Sequence, residues 1–134
     1  MDEKLLEIAN DMKSKSYSPY SGYRVGAALL CDDGTIVTGC NVENISYGAT
    51  ICAERTAFVK AISEGKKGFS KIAISVSGDE IGTPCGMCTQ FMSEFVGANF
   101  EVICGNNKGE FKKYKFSEIM PITFYSTSVN KGTL

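Results

Sequence analysis

Two short stretches carry the residue types that could do chemistry: Cys52-Ala53-Glu54 and Pro84-Cys85-Gly86-Met87-Cys88. Three thiols can hold one zinc ion in three of its four tetrahedral positions and leave the fourth open to water. A carboxylate two residues after the first thiol, Glu54, is placed to handle protons at that open position. The chain has no histidine, which excludes Ser-His and Cys-His nucleophilic machinery and any histidine-bearing zinc site.

The elements that must position these groups follow from hydrophobic period and turn chemistry. Ala57, Phe58, Ala61 and Ile62 form an apolar stripe on a helix predicted over 51–64, and one turn back along the stripe stands Glu54. A carboxylate aligned with a core-facing stripe is costly to bury as an ion, so it must be paired, protonated or turned to a polar pocket. A plain alternative is an acid that favours the positive end of the helix. In the second motif Thr83 would cap a helix with Pro84 in its first position, running to about Val96. Cys85 and Cys88 then lie on adjacent turns within reach of one ion, on the face shared by Phe91, Met92 and Phe95. A Cys-x-x-Cys pair alone is read equally as zinc ligand, redox couple or chance.

The rest of the chain supplies a frame. Residues 2–14, with Leu5, Ile8, Ala9 and Met12, read as an amphipathic helix. Arg24–Cys31 and Thr35–Asn41 flank Asp32-Asp33-Gly34 and read as a hairpin. Asn41–Ala49 reads as a loop, Lys71–Ser77 as a third strand, Glu101–Gly105 as a fourth, Glu110–Phe116 as a fifth and Ser117–Met120 as a short helical turn. Helix-joined strands imply parallel neighbours and hairpins antiparallel ones, so the expected architecture is α/β: a three-layer α/β/α sandwich on a mixed five-stranded sheet. The 134 residues are expected to form a single domain.

Composition narrows the function classes. Hydrophobic residues make up 43% and charged residues 22%, with 14 basic against 15 acidic side chains. That balance offers no electrostatic footprint for nucleic acid. No apolar run approaches the ~20 residues that cross a bilayer. A cytoplasmic protein is expected, in which six cysteines stay reduced. Cys31, Cys40 and Cys104 lie in or at the ends of strands and are expected to pack as small apolar groups.

Cysteine and glutamate opening one helix, with Pro-Cys-x-x-Cys opening another after an intervening strand, is the general pattern of zinc deaminases, with Cys52 where histidine is more common. Three thiolates on Zn2+ leave one negative charge in excess, opposed by two helix N-termini and by Arg55, which can donate to the sulfurs. Two further segments, Tyr17-Ser18-Pro19-Tyr20-Ser21-Gly22-Tyr23-Arg24-Val25-Gly26-Ala27-Ala28 and Gly39-Cys40-Asn41-Val42-Glu43-Asn44, extend the likeness. Over nearly its whole length the chain resembles the small zinc-dependent cytidine deaminases.

That resemblance implies a zinc-bound hydroxide attacking cytidine or deoxycytidine, Glu54 shuttling protons, and release of ammonia, as in pyrimidine salvage. It implies one Zn2+ per chain on Cys52, Cys85 and Cys88. It also implies that Asn41 and Glu43 hold the ribose hydroxyls, that Tyr23, at a position usually Phe, lies against the pyrimidine, and that the backbone at Ala53 and Thr83 contacts the base. Relatives of this length are typically homotetramers, and Phe124 matches a ring donated across the interface. One departure is Thr89, where the family commonly has Arg. From the residues alone, a solvated loop is the favoured reading of Asn41 and Glu43, and a core or turn aromatic that of Tyr23. Three competing functions remain open: a deaminase of another aminated nucleoside such as a blasticidin-type antibiotic, a structural zinc module closed by Cys40 or Cys104, and a thiol redox protein built on Cys85 and Cys88.

Overall fold

The computed structural model describes residues 1–124. Five strands form one sheet in the order β2-β1-β3-β4-β5: β1 is Val25–Cys31, β2 Ile36–Cys40, β3 Phe69–Val76, β4 Glu101–Gly105 and β5 Phe111–Lys115. The hairpin β1–β2 is antiparallel, with Ala28 opposite Thr38, and β1 is also antiparallel to β3. Only β3 and β4 run parallel, Ala73 beside Ile103, and β5 returns antiparallel to β4. The sheet is therefore mixed, as expected. The helix after β2 joins two strands that flank β1 and share a direction without pairing.

Strand alternation divides the core into two layers. On one face, α1 (Asp2–Met12) sets Leu5 and Ala9 against Ala28, Ala73 and Ile103. On the other, α2 (Ala53–Ser63) and α3 (Gly86–Met92) cover Ala27, Leu29, Ile72, Ile74, Val102 and Cys104. A short helix, α4 (Phe116–Ile119), follows β5. The expected apolar stripe is the buried face of α2: Ala57, Phe58 and Ala61 are inaccessible to solvent and Ile62 is half-buried. Phe58 ties the two helices together, its ring centroid 6.4 Å from that of Phe91 and 6.3 Å from that of Phe95.

Close approach sets the height of α2 above the sheet. A Cβ on Gly39 would lie 2.5 Å from Ala53 O and 2.6 Å from Ala57 N, so only glycine lets the first turns of α2 rest on β2. Gly26 plays the same part for α1, where a Cβ would stand 2.0 Å from Ala9 O.

The expected start of the third helix at Thr83, with Pro84 in its first position, is wrong. Cys85 is extended, with φ −73 and ψ 167, so no helical turn can run on from Pro84. The helix begins at Gly86 and Cys85 is its N-cap residue. It also ends early, at Met92. Beyond it, the amides of Phe95 and Val96 both bond to Met92 O, tightening the chain into turns through Val96. The expected loop after β2 likewise has more structure than its sequence implied. Val42 bridges both Tyr17 and Ile51, and Tyr47–Ala49 form a 3-10 turn.

Candidate metal centre and active-site cleft

Cys52 is the N-cap residue of α2 and Cys85 that of α3, so both motifs place a thiol at the mouth of a helix. Cys88 stands three residues after Cys85, the spacing at which an N-cap side chain meets the first turn. The three sulfurs all lie within 4.8 Å of one another, and Cys52 Sγ is 3.9 Å from Cys85 Sγ. Tetrahedral zinc with Zn–S bonds of about 2.3 Å separates neighbouring sulfurs by roughly 3.8 Å. The donor set and its spacing therefore fit one Zn2+ per chain. Among the described residues neither Cys40 nor Cys104 joins the group. The thiol of Cys40 faces Lys15 O at 3.5 Å, and Cys104 is buried in the core. Three protein ligands and an open fourth position are the form of a catalytic rather than a structural zinc site.

The cluster is strongly polarised. The hydrogen bond from Cys88, with help from Arg55 and Cys85, pulls the Cys52 thiol down to about 5, while Cys88 moves up as the partner that keeps the shared proton. The Arg55 guanidinium donates to Cys52 Sγ at 3.7 Å and to Thr50 O at 3.4 Å. Its Nε is buried with no hydrogen-bond partner, an exception that requires a reason at a site meant to hold excess negative charge. Thr89 turns its hydroxyl to Gly86 O at 3.0 Å and is buried, so it brings no charge to the thiols.

Glu54, in the first turn of α2, is only 5% exposed. Burial pushes its carboxyl up to about 7, and the neighbouring Cys52 charge works in the same direction. A carboxyl near neutrality can both accept and return a proton. It opens into a cleft of about 200 Å³ whose walls include Tyr23, Asn41, Cys52, Ala53, Glu54, Thr83 and Cys85. The structure thus brings seven of the expected residues to one cavity. Val25, Thr50, Ile74 and Val76 complete its walls. Alternation along β1 and β3 carried a signal for Val25, Ile74 and Val76; nothing in the sequence pointed to Thr50.

Two expected residues lie elsewhere. Glu43 lines a neighbouring cleft of about 380 Å³ with Tyr20, Ser21, Asn44, Tyr47 and Thr50, so Thr50 is the wall between the two cavities. The Glu43 carboxylate accepts the amides of Tyr20 at 2.9 Å and Ser21 at 3.1 Å and is bonded by the Ser21 hydroxyl. Those bonds hold its carboxyl below the usual range. Phe124 lies away from the cleft of its own chain, its residue surface 79% exposed. Asn41 is buried and heavily engaged. Its Oδ1 accepts the Val25 amide at 2.9 Å and the Ser16 hydroxyl at 2.5 Å, while its Nδ2 donates to Tyr23 O at 2.8 Å.

Comparison with known proteins agrees with this geometry. Residues 1–105 match the family model described as the cytidine and deoxycytidylate deaminase zinc-binding region. The chain is 41% identical over 122 residues to a cytidine deaminase of Sporosarcina psychrophila, spanning 91% of this chain and 90% of that one. A blasticidin-S deaminase of Bacillus cereus is 30% identical over 132 residues, with 92% and 91% of the two chains covered. The crystal structure of cytidine deaminase from Burkholderia pseudomallei superposes with a TM-score of 0.89 at 38% identity, over 92% of this chain and 99% of that one. The open three-thiol centre, the buried carboxyl beside it and these likenesses agree: the chain belongs to the cytidine and deoxycytidylate deaminase zinc-binding family.

Proposed function

We propose that this protein hydrolyses cytidine and deoxycytidine to uridine and deoxyuridine with release of ammonia. The observation that carries the reading is the buried Glu54 facing the same small cleft as the thiols of Cys52 and Cys85. The chemistry that Zn2+ supplies when held by Cys52, Cys85 and Cys88 is the acidification of water to a nucleophile near neutral pH. Glu54 takes the proton of the attacking water, delivers it to the ring nitrogen, and passes a proton to the departing amine. Tyr23 lies against the pyrimidine, and the backbone at Ala53 and Thr83 positions the base. Arg55 offsets the surplus charge of the three thiolates.

Asn41 and Glu43 act on the sugar as a complementary pair. With both Asn41 acceptor positions and one N–H committed inside the protein, its remaining N–H can only donate to a hydroxyl oxygen. Glu43, as a carboxylate, can only accept from a hydroxyl. The higher identity to a cytidine deaminase than to the blasticidin enzyme, 41% against 30%, favours the nucleoside reading.

The working form in this proposal is a homotetramer in which Phe124 of one chain completes the cleft of another. Large exposed apolar groups support it: Ile122 is 87% exposed, and Ile45 and Phe124 each 79%. All six cysteines are free, in keeping with a reducing cytoplasm, where the proposed reaction would serve pyrimidine salvage. No helix among the described residues is long and apolar enough to cross a membrane.

The test is ammonia release from cytidine, deoxycytidine, adenosine and blasticidin S, with and without a strong zinc chelator. Turnover of the two cytosine nucleosides, lost on chelation and restored by Zn2+, is the expected result. Turnover of blasticidin S alone would move the assignment to the antibiotic, and turnover untouched by chelation would overturn the zinc mechanism.

A further inference from the structure

Gln90 lies on α3 two residues beyond Cys88 and has no part in the cleft described above. Its amide makes two bonds to a single distant residue. Nε2 donates to Phe124 O at 2.9 Å, and Oε1 accepts the Phe124 N–H at 3.3 Å. This is the reciprocal exchange that two residues of paired strands make, with a side chain standing in for one strand. It fixes the backbone of Phe124 without using the ring. The ring gains little from its own chain, since the residue remains 79% exposed, and neighbouring Ile122 is 87% exposed. An aromatic side chain fixed by its backbone yet left in solvent is presented to something outside the chain.

We infer that Gln90 is a positioning residue that latches Phe124 so that its ring reaches the cleft of a second copy of this chain. The inference rests on the reading that Phe124 completes a neighbour's site. It adds a coupling: α3 carries Cys88 for its own centre and, through Gln90, aims the ring used by another. Loss of the latch leaves the thiol cluster and Glu54 untouched and loosens only the ring, so it raises KM and leaves kcat nearly unchanged.

The test co-expresses two differently tagged chains and purifies mixed oligomers through both tags. One chain carries Glu54→Gln, which removes turnover but keeps Gln90 and Phe124. The other carries Gln90→Ala. By itself the Gln90→Ala protein is expected to bind zinc normally and to show a KM for cytidine raised about tenfold, the effect of losing two ordinary hydrogen bonds. In mixed oligomers, where all turnover comes from Gln90→Ala chains, the neighbour supplies a latched ring and KM falls back toward the unmutated value. Gln90→Glu, which keeps an acceptor for the Phe124 N–H but loses the donor, should lie between the two. An unchanged KM in Gln90→Ala, or a raised KM that mixing does not restore, overturns the latch. A parallel mixture of Phe124→Ala with Glu54→Gln separates the causes. If that pair recovers and the Gln90→Ala pair does not, the cross-chain ring stands and the latch is wrong. If neither recovers, the cross-chain reading itself has failed and the latch falls with it.

Discussion

The two helix mouths that form the metal centre are built by different means. At the α2 mouth, eleven residues of helix lie directly on β2, Gly39 allows backbone contact, and Ala53, Ala57, Phe58 and Ala61 are fully buried. At the α3 mouth, a seven-residue helix follows an irregular run, and Cys85, Gly86 and Met87 are exposed. That run is held by tethers from elsewhere. The buried Asn106 donates to Asp79 O at 2.8 Å, and the Asn107 amide donates to Gly78 O at 3.1 Å. One half of the site is therefore a product of the core, and the other of loop contacts that the core does not dictate. Glu54 sits on the half seated on the core, where its position and its burial are set together.

That contrast can be broken in order of effect. Glu54→Gln should keep fold and zinc but lower kcat by ~10³-fold or more, the scale of losing a positioned general acid–base group; single-turnover kinetics alongside metal analysis would show it, and near-normal turnover would remove Glu54 from its role. Gly39→Ala should lift α2 from the sheet and cost about 1–3 kcal/mol of stability. A Tm within a degree of the parent would mean that α2 is not seated by this approach.

The smallest effect belongs to a control far from both mouths. Asp2 accepts from Lys71 at 2.7 Å and from Lys113 at 3.0 Å, and these bonds hold its carboxyl below the usual carboxylate range. Its contribution is fully present above the ordinary aspartate value and fades as pH falls through its lowered one. Because the pair lies at the surface and is partly solvated, roughly 0.5 kcal/mol is the expected scale. Asp2→Asn should therefore lower Tm slightly at pH 7, with the gap closing below about pH 4; a gap that widens in acid would contradict the pairing.

The same contrast explains what could be read from sequence. The α2 half was legible because its stripe and its buried acid follow one helical period, with a cysteine two residues before the acid. All three cluster thiols were legible because an absence of histidine leaves few zinc-binding side chains, and because two of them share a Cys-x-x-Cys spacing. The α3 boundary was not, since Thr83-Pro84 has the local chemistry of a helix start, and the extended Cys85 that delays the helix to Gly86 has no local signal. The internal role of Asn41 was equally hidden. Its partners Ser16, Tyr23 and Val25 come together only when β1 and the segment before it pass beside the end of β2.

The N-cap cysteines have a consequence for helix stability. Serine, threonine, aspartate or asparagine at such positions would accept a first-turn amide, yet neither Cys52 nor Cys85 makes a side-chain cap bond. Each helix forgoes about 1 kcal/mol that an ordinary cap supplies. Serine at either position would strengthen the helix it begins while removing a sulfur from the cluster. At these two residues the metal-free helix and the zinc cluster favour different atoms, so a search for stability in metal-free protein would drift toward variants that no longer hold the ion.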